Sequence, residues 1–235
     1  YSYNISEGIR YAYNFLNNIG SVPDISEANL RYWSGEAHFL IAHLHQILLE
    51  YYGPIVLARE EIDLNAPASS VNVPRSTYDE CVNFIEEEFR KAADMLPDYW
   101  GPIAYGRAIK ATALAYRARL LLYSARKLFN GNELYKGIVN KNGDHLFPTQ
   151  YDEKKWELAA QAAKDVMNLN LYSLVGADGT DPYASFNTLF TSVGSGTGGA
   201  TEKIYTRIAS GYQWRVVTTP PSVGGTAYGG YGVTQ

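Results

Sequence analysis

The sequence predicts a mainly α chain of helical hairpins that gives way to long irregular loops. Three observations carry this. Apolar residues recur at three- and four-residue steps through successive segments up to Leu174. Two of the later segments are rich in alanine, the small residue that lets helices approach closely, as in tetratricopeptide-like hairpins. Beyond Leu174 the periodicity stops and Gly, Ser and Thr take over. Residues 1–175 are thus expected to form a helical scaffold. Residues 176–235 form a loop-rich segment of the same domain, packing on sequence not present in this chain.

The first helix spans about residues 3 to 19, with Ile5, Ile9, Ala12, Leu16 and Ile19 as its stripe, and Gly20, Pro23 and Asp24 stop it. The second runs from the N-cap candidate Ser26 to Tyr52, before Gly53-Pro54. Ala37, Leu40, Ile41, Leu44 and Leu48 make one face, widened by Phe39, Ala42, Ile47 and Leu49, so this helix is buried on several sides. Residues 54–75 carry three prolines without a period and read as a surface crossing. Thr77 and Glu80 form a capping box for the third helix, whose stripe runs from Tyr78 to Leu96. Glu86, Glu87 and Glu88 fan around it as a solvated face. The fourth helix runs from about Arg107 to Phe129, with Arg126 and Lys127 in its last turn. The fifth opens near Asp152, with Trp156, Ala159, Ala160, Ala163 and Val166 at helical steps. A short helix over 183–190 and a short strand over 202–208 complete the reading.

Composition bounds the function. Hydrophobic residues make up 46% and charged residues 19%, which suits a folded chain. A net charge of −4, without basic clusters, argues against nucleic acid as partner. No apolar run approaches the ~20 residues of a membrane-spanning helix. Cys81 is the only cysteine and reads as a small buried hydrophobe. The opening Tyr-Ser-Tyr-Asn looks like the interior of a longer protein.

Motifs for catalysis are missing. The run Gly194 to Gly199 lacks the flanking strand, helix and Lys of a phosphate-binding loop. His38, His43 and His45 lack the four-residue spacing with an adjacent carboxylate that helical metal pairs use, so they read as helix-surface or core-edge residues. There is no Gly-x-Ser-x-Gly elbow and no displayed carboxylate pair. Tyrosine is the outlier, at 20 residues. Tyr99, Trp100 and Tyr105 fall between the third and fourth helices, and Tyr212, Trp214, Tyr228 and Tyr231 in the glycine-rich tail. Loop-borne rings of this kind either stack on the C–H faces of sugars or plug gaps between loop and helix. Tyr99, Trp100, Tyr212 and Trp214 are the candidate ligand-binding residues. No catalytic or metal-binding residue is assigned.

Arg31-Tyr-Trp-Ser-Gly-Glu-Ala-His-Phe-Leu-Ile-Ala42 resembles a helix motif of the SusD/RagB family, with Ile41 where Arg is usual. Tyr51 to Val56, Val73 to Tyr78, and Gly106-Arg-Ala-Ile-Lys-Ala111 leading to Tyr123 are similar to further blocks of that family. Lys155-Trp156, Glu202 to Tyr205 and Tyr231 to Gln235 follow in the family's order. The resemblance implies a scaffold of tetratricopeptide-like helix pairs, with loops supplying the ligand site. It implies a cell-surface protein of the outer membrane, held by a lipid on an N-terminal cysteine outside this chain. The partner would be a TonB-dependent, SusC-like transporter, and the cargo an oligosaccharide captured without catalysis. RagB-like members bind peptide instead, so peptide import is the alternative, and a helical adaptor with only protein partners is a third reading. No cofactor is implied. Some relatives hold calcium, but Asp178, Asp181 and Glu202 form no recognisable oxygen-ligand loop.

Overall fold

Some of the helices begin where a side chain satisfies a free backbone N–H group. The computed structural model describes residues 2–61, 65, 67, 72–100, 106–191 and 202–205. Helix α1 covers Ser2–Ile19 and α2 covers Glu27–Tyr52, where Ser26 Oγ accepts from the Asn29 N–H at 3.2 Å. Helix α3 covers Tyr78–Met95 behind the Thr77/Glu80 capping box. Helix α4 covers Lys110–Ala125, α5 covers Lys154–Met167 and α6 covers Pro182–Thr191. A short 3-10 turn lies at Glu133–Tyr135.

The helices pack in chain order, α1 on α2, α2 on α3, α3 on α4 and α4 on α5. Neighbours run antiparallel. Arg31, early in α2, donates to the Asp94 carbonyl late in α3, while His45, late in α2, packs on Phe84 early in α3. Arg117 of α4 bonds both Glu86 of α3 and Asp165 of α5. The mainly α, tetratricopeptide-like hairpin architecture is therefore present, with no strand among the described residues. Helix α3 lies between two neighbours and buries Tyr78, Cys81, Ile85, Phe89 and Ala92 completely. At Gly35 a Cβ would meet Met95 Cβ at 2.9 Å, so its missing side chain sets how closely α2 approaches the end of α3.

Several expectations are corrected. Helix α4 starts three residues later than Arg107 because Gly106 takes φ +90° and the Ala108 carbonyl turns to the Trp100 indole. It ends at Ala125, where Arg126 becomes extended and buried Asn130 donates to the Ala125 carbonyl. Arg126 and Lys127 thus lie beyond the last turn, and the Arg126 guanidinium sits 3.7 Å from the Tyr123 ring centroid. The three glutamates of α3 are not one solvated face. Glu88 is buried against His38 and Lys91, and Glu86 pairs with Arg117, because α2 and α4 flank this helix on two sides. Residues 202–205 form a turn and bend, not the start of a strand, and 206–208 lie outside the described residues.

The crossing segment is tied down by its backbone. The Tyr13 hydroxyl donates to the Ala58 carbonyl at 2.9 Å, and the Ala58 N–H donates to His45 Nε2 at 3.3 Å. The loop after α4 returns to the core, placing Phe129 and Phe147 against the buried Tyr78 ring at 4.8 and 5.6 Å.

Candidate functional site

Of the four aromatic candidates, Tyr99 and Trp100 lie within the described residues, and Tyr212 and Trp214 lie outside them. Tyr99 is 64% exposed at the end of the segment following α3. Trp100 is half-buried, and its indole N–H donates to the Ala108 carbonyl at 2.7 Å. The Arg107 guanidinium lies over its ring at 3.7 Å from the centroid, and Tyr32 meets it edge-on at 5.6 Å. Trp100 is therefore an anchored ring with a cation on it, a geometry in which the charge meets the electron-rich face. The Gly194–Gly199 run, Tyr105, Tyr228 and Tyr231 also lie outside the described residues.

Arg107 links this cluster to a feature that the sequence reading did not assign. Its Nε donates to Glu36 Oε1 at 2.8 Å and its Nη2 to Glu36 Oε2, a two-pronged pair. Those bonds hold the guanidinium above its ordinary pKa against the effect of burial. Both side chains also line a groove of about 570 Å³ along α1 and α2. Gly8, Ala12 and Ala37 are its small lining residues. Tyr11, Phe15, Trp33 and Leu40 form its walls, each between 37% and 55% exposed. Most of the lining is apolar, and Glu36 and Arg107 are its charged members.

The groove left a signal in the sequence. Tyr11 and Phe15 lie one turn apart, off the stripe that buries Ile5, Ile9, Ala12 and Ile19. Trp33, Ala37, Leu40 and Leu44 likewise recur at four- and three-residue steps. The expectation that Leu40 sits in the core face fails, since α2 buries Phe39, Ala42, Gln46 and Leu49 toward its later neighbours and leaves Leu40 47% exposed.

The histidines take three environments. His38 Nδ1 lies 2.6 Å from Glu88 Oε2. Burial holds His45 below the ordinary imidazole range, with its Nδ1 bonded to the Ile41 carbonyl. Burial lowers His43 as well, whose ring stacks on Phe39 and meets Tyr116 edge-on. Among the described residues no three His, Cys, Asp or Glu side chains are placed to hold a metal ion. No helix of the described residues is long and apolar enough to cross a membrane. Cys81 is buried, which pushes its thiol up to about 11 and leaves it a packing group.

Comparison with known proteins places this architecture. Residues 2–122 match the profile of a SusD-like family described as starch-binding and associating with the outer membrane. Among solved structures, the protein designated BT4246 is 32% identical, with a TM-score of 0.69 over 74% of this chain and 31% of its own. A SusD-like protein of Bacteroides fragilis NCTC 9343, BF3747, is 28% identical, with a TM-score of 0.56 over 76% of this chain and 28% of its own. Surface glycan-binding protein A of Bacteroides uniformis shares the fold at 18% identity, with a TM-score of 0.56 over 86% of this chain and 36% of its own. The chain thus spans about a third or less of the length of these solved proteins. No curated protein matches. With the profile covering just over half of its residues, in the region that builds α1 to α4, the chain belongs to the SusD-like family.

Proposed function

We propose that this chain is part of a surface glycan-binding protein of the outer membrane, which captures oligosaccharide and passes it to a partner TonB-dependent transporter. One observation carries the reading: the family match spans residues 2–122, and that family is described as starch-binding and outer-membrane associated. The groove along α1 and α2 supports it, because exposed aromatic rings beside a fixed charged pair suit the two faces of a sugar. Rings stack on the apolar C–H face, and nitrogen and oxygen atoms bond the hydroxyls. Capture without turnover is part of the proposal, as are the lipid anchor and the transporter.

Tyr99, Trp100, Tyr212 and Trp214 remain proposed ligand contacts. Tyr99 has the exposed ring that a platform needs. Trp100 has one partner already on its ring, so its share in binding passes through Arg107.

The test is calorimetric titration of the protein with a panel of neutral and acidic oligosaccharides and short peptides, with product analysis for turnover. Saturable glycan binding with intact glycan recovered is the expected result. Binding to peptides alone would replace this reading with peptide import. Release of shorter sugars would make the protein an enzyme.

A further inference from the structure

We propose that Asn142 is a site of covalent modification, where the surface turn between α4 and α5 deamidates and isomerises to isoaspartate. The second Asn-Gly pair, Asn130-Gly131, is protected by the fold. This modification is independent of the glycan-capture reading.

The sequence contains the pair twice, at 130–131 and 142–143. In such a pair the backbone nitrogen after asparagine closes on the side-chain carbonyl carbon, an intramolecular attack that glycine leaves unhindered because it has no Cβ. The Gly143 nitrogen gives its proton to solvent base and bonds Cγ of Asn142. The Cγ–Nδ2 bond then breaks and Nδ2 leaves as ammonia, which closes a cyclic imide. Water adds to one of the two imide carbonyls and reopens the ring. One opening gives aspartate, and the other routes the chain through Cβ and Cγ and gives isoaspartate. The net change is loss of ammonia and gain of water, with no oxidant or reductant.

The two pairs differ in what surrounds them. Asn142 and Gly143 are both exposed, and a Cβ at Gly143 would meet nothing within 4 Å. The Asn142 side-chain amide has no hydrogen-bond partner among the described residues. Attack must first open the turn bond from the Gly143 N–H to the Asn140 carbonyl, 3.1 Å long and at the surface. Asn130 is wholly buried, and its side chain is held at both ends. Its Nδ2 donates to the Ala125 and Asp152 carbonyls, and its Oδ1 accepts from the Asp152 N–H at 2.9 Å. Turning that amide toward Gly131 breaks all three bonds, and the Tyr151 backbone closes over Gly131.

Isomerisation at Asn142 has a structural consequence. Asn140 Oδ1 accepts from the N–H groups of Asn142 and Asp144 at 2.9 and 3.0 Å, and the backbone carbon that isoaspartate adds falls between those two groups. The two bonds cannot both keep their geometry. The same turn holds the crossing segment, through Asn140 Nδ2 on the Arg75 carbonyl at 3.2 Å and Lys141 Nζ on Asn72 at 2.5 Å. Isoaspartate at 142 therefore loosens residues 72–75, and the exposed Arg75 becomes an easier tryptic site.

The experiment is incubation of the protein at mildly alkaline pH, natively and in urea, followed by peptide mapping with mass spectrometry that separates aspartate from isoaspartate. In the native protein Asn142 should convert at least about tenfold faster than Asn130, which reacts only through local opening, and isoaspartate should be among its products. In urea the two should convert at similar rates. A native Asn142 that stays an amide, whatever happens in urea, would overturn the site. Native conversion of Asn130 as fast as that of Asn142 would overturn the protection. Brief trypsin treatment reads the consequence, because release of the peptide ending at Arg75 should be faster after incubation. Asn142→Gln, whose longer side chain closes the imide poorly, should show neither the conversion nor the faster release. Asn142→Asp, freshly prepared, carries the new charge without the extra carbon and should release that peptide at the native rate. Equally faster release in incubated Asn142→Gln, or unchanged release once isoaspartate has formed, would overturn the loosening.

Discussion

His45 is held neutral from both sides of its ring, since Nδ1 donates to the Ile41 carbonyl and Nε2 accepts from the Ala58 N–H. Protonation would place a charge in the core and leave the Ala58 N–H without its acceptor. Burial depresses its pKa, and that of His43, below the ordinary value. Below about pH 6.5 the unfolded imidazole binds a proton that the folded one refuses. Stability is therefore full above that pH and falls as pH drops toward the folded value. Glu88 acts lower on the scale. Burial works to raise its pKa, but its bonds with His38 and Lys91 outweigh this and lower it, so its contribution is lost only as pH falls below the ordinary glutamate range. Thermal melts should show a falling Tm from pH 7 to 5.5, with a shallower fall in His45→Gln. An equal slope in that variant would remove His45 from the account. Tyr78 makes a second residue-scale case, because its buried hydroxyl, set among aromatic rings, has no hydrogen-bond partner among the described residues. Removing an unsatisfied hydroxyl relieves desolvation, so Tyr78→Phe should leave the urea midpoint unchanged or raise stability by about 1 kcal/mol. A loss of similar size would mean that the hydroxyl has a partner.

The loop after α4 shows how an element is fixed by one position. Gly131 has φ +74°, and a Cβ there would meet the Tyr151 backbone nitrogen at 2.4 Å. Gly143 has φ +88°, but a Cβ there meets nothing within 4 Å. The first carries both a conformational and a steric demand, the second only the conformational one. Gly143→Ala should therefore cost about 1 kcal/mol in denaturant unfolding, and Gly131→Ala clearly more. Equal losses would show that the backbone at Tyr151 yields. The aromatic packing of Phe129, Tyr78 and Phe147 depends on this turn, since it carries the chain from α4 back over the start of α3. The helix caps are legible at this scale, because Ser26, Thr77 and Glu80 act on backbone groups within three residues. The end of α4 was not legible. Asn130 captures the Ala125 carbonyl while bonded to Asp152, 22 residues away in sequence, and no local pattern announces that.

Across the whole molecule, helices that pack mainly on their chain neighbours should differ in stability with the number of sides covered. Helix α3 is covered by α2 and α4, while α6 packs on no other helix of the described residues. Native-state hydrogen exchange should find the amides of α3 slowest and those of α6 fastest. Protection of α6 equal to that of α3 would mean that another part of the protein covers Tyr183, Phe186 and Phe190, which are exposed here.

The sequence by itself determined the helices, their caps and the family, because apolar periodicity and capping are local and repeat along the chain. It also placed Tyr99 and Trp100 together in one loop, and gave Cys81 its buried role. Tertiary structure alone decided which apolar face meets which neighbour. It turned Leu40 outward, buried Glu88 and set Arg107 between Glu36 and Trp100. Those outcomes join residues such as Glu36 and Arg107, 71 positions apart. A pairing at that distance depends on how α2 stands against the segment before α4, which no periodicity in either segment encodes.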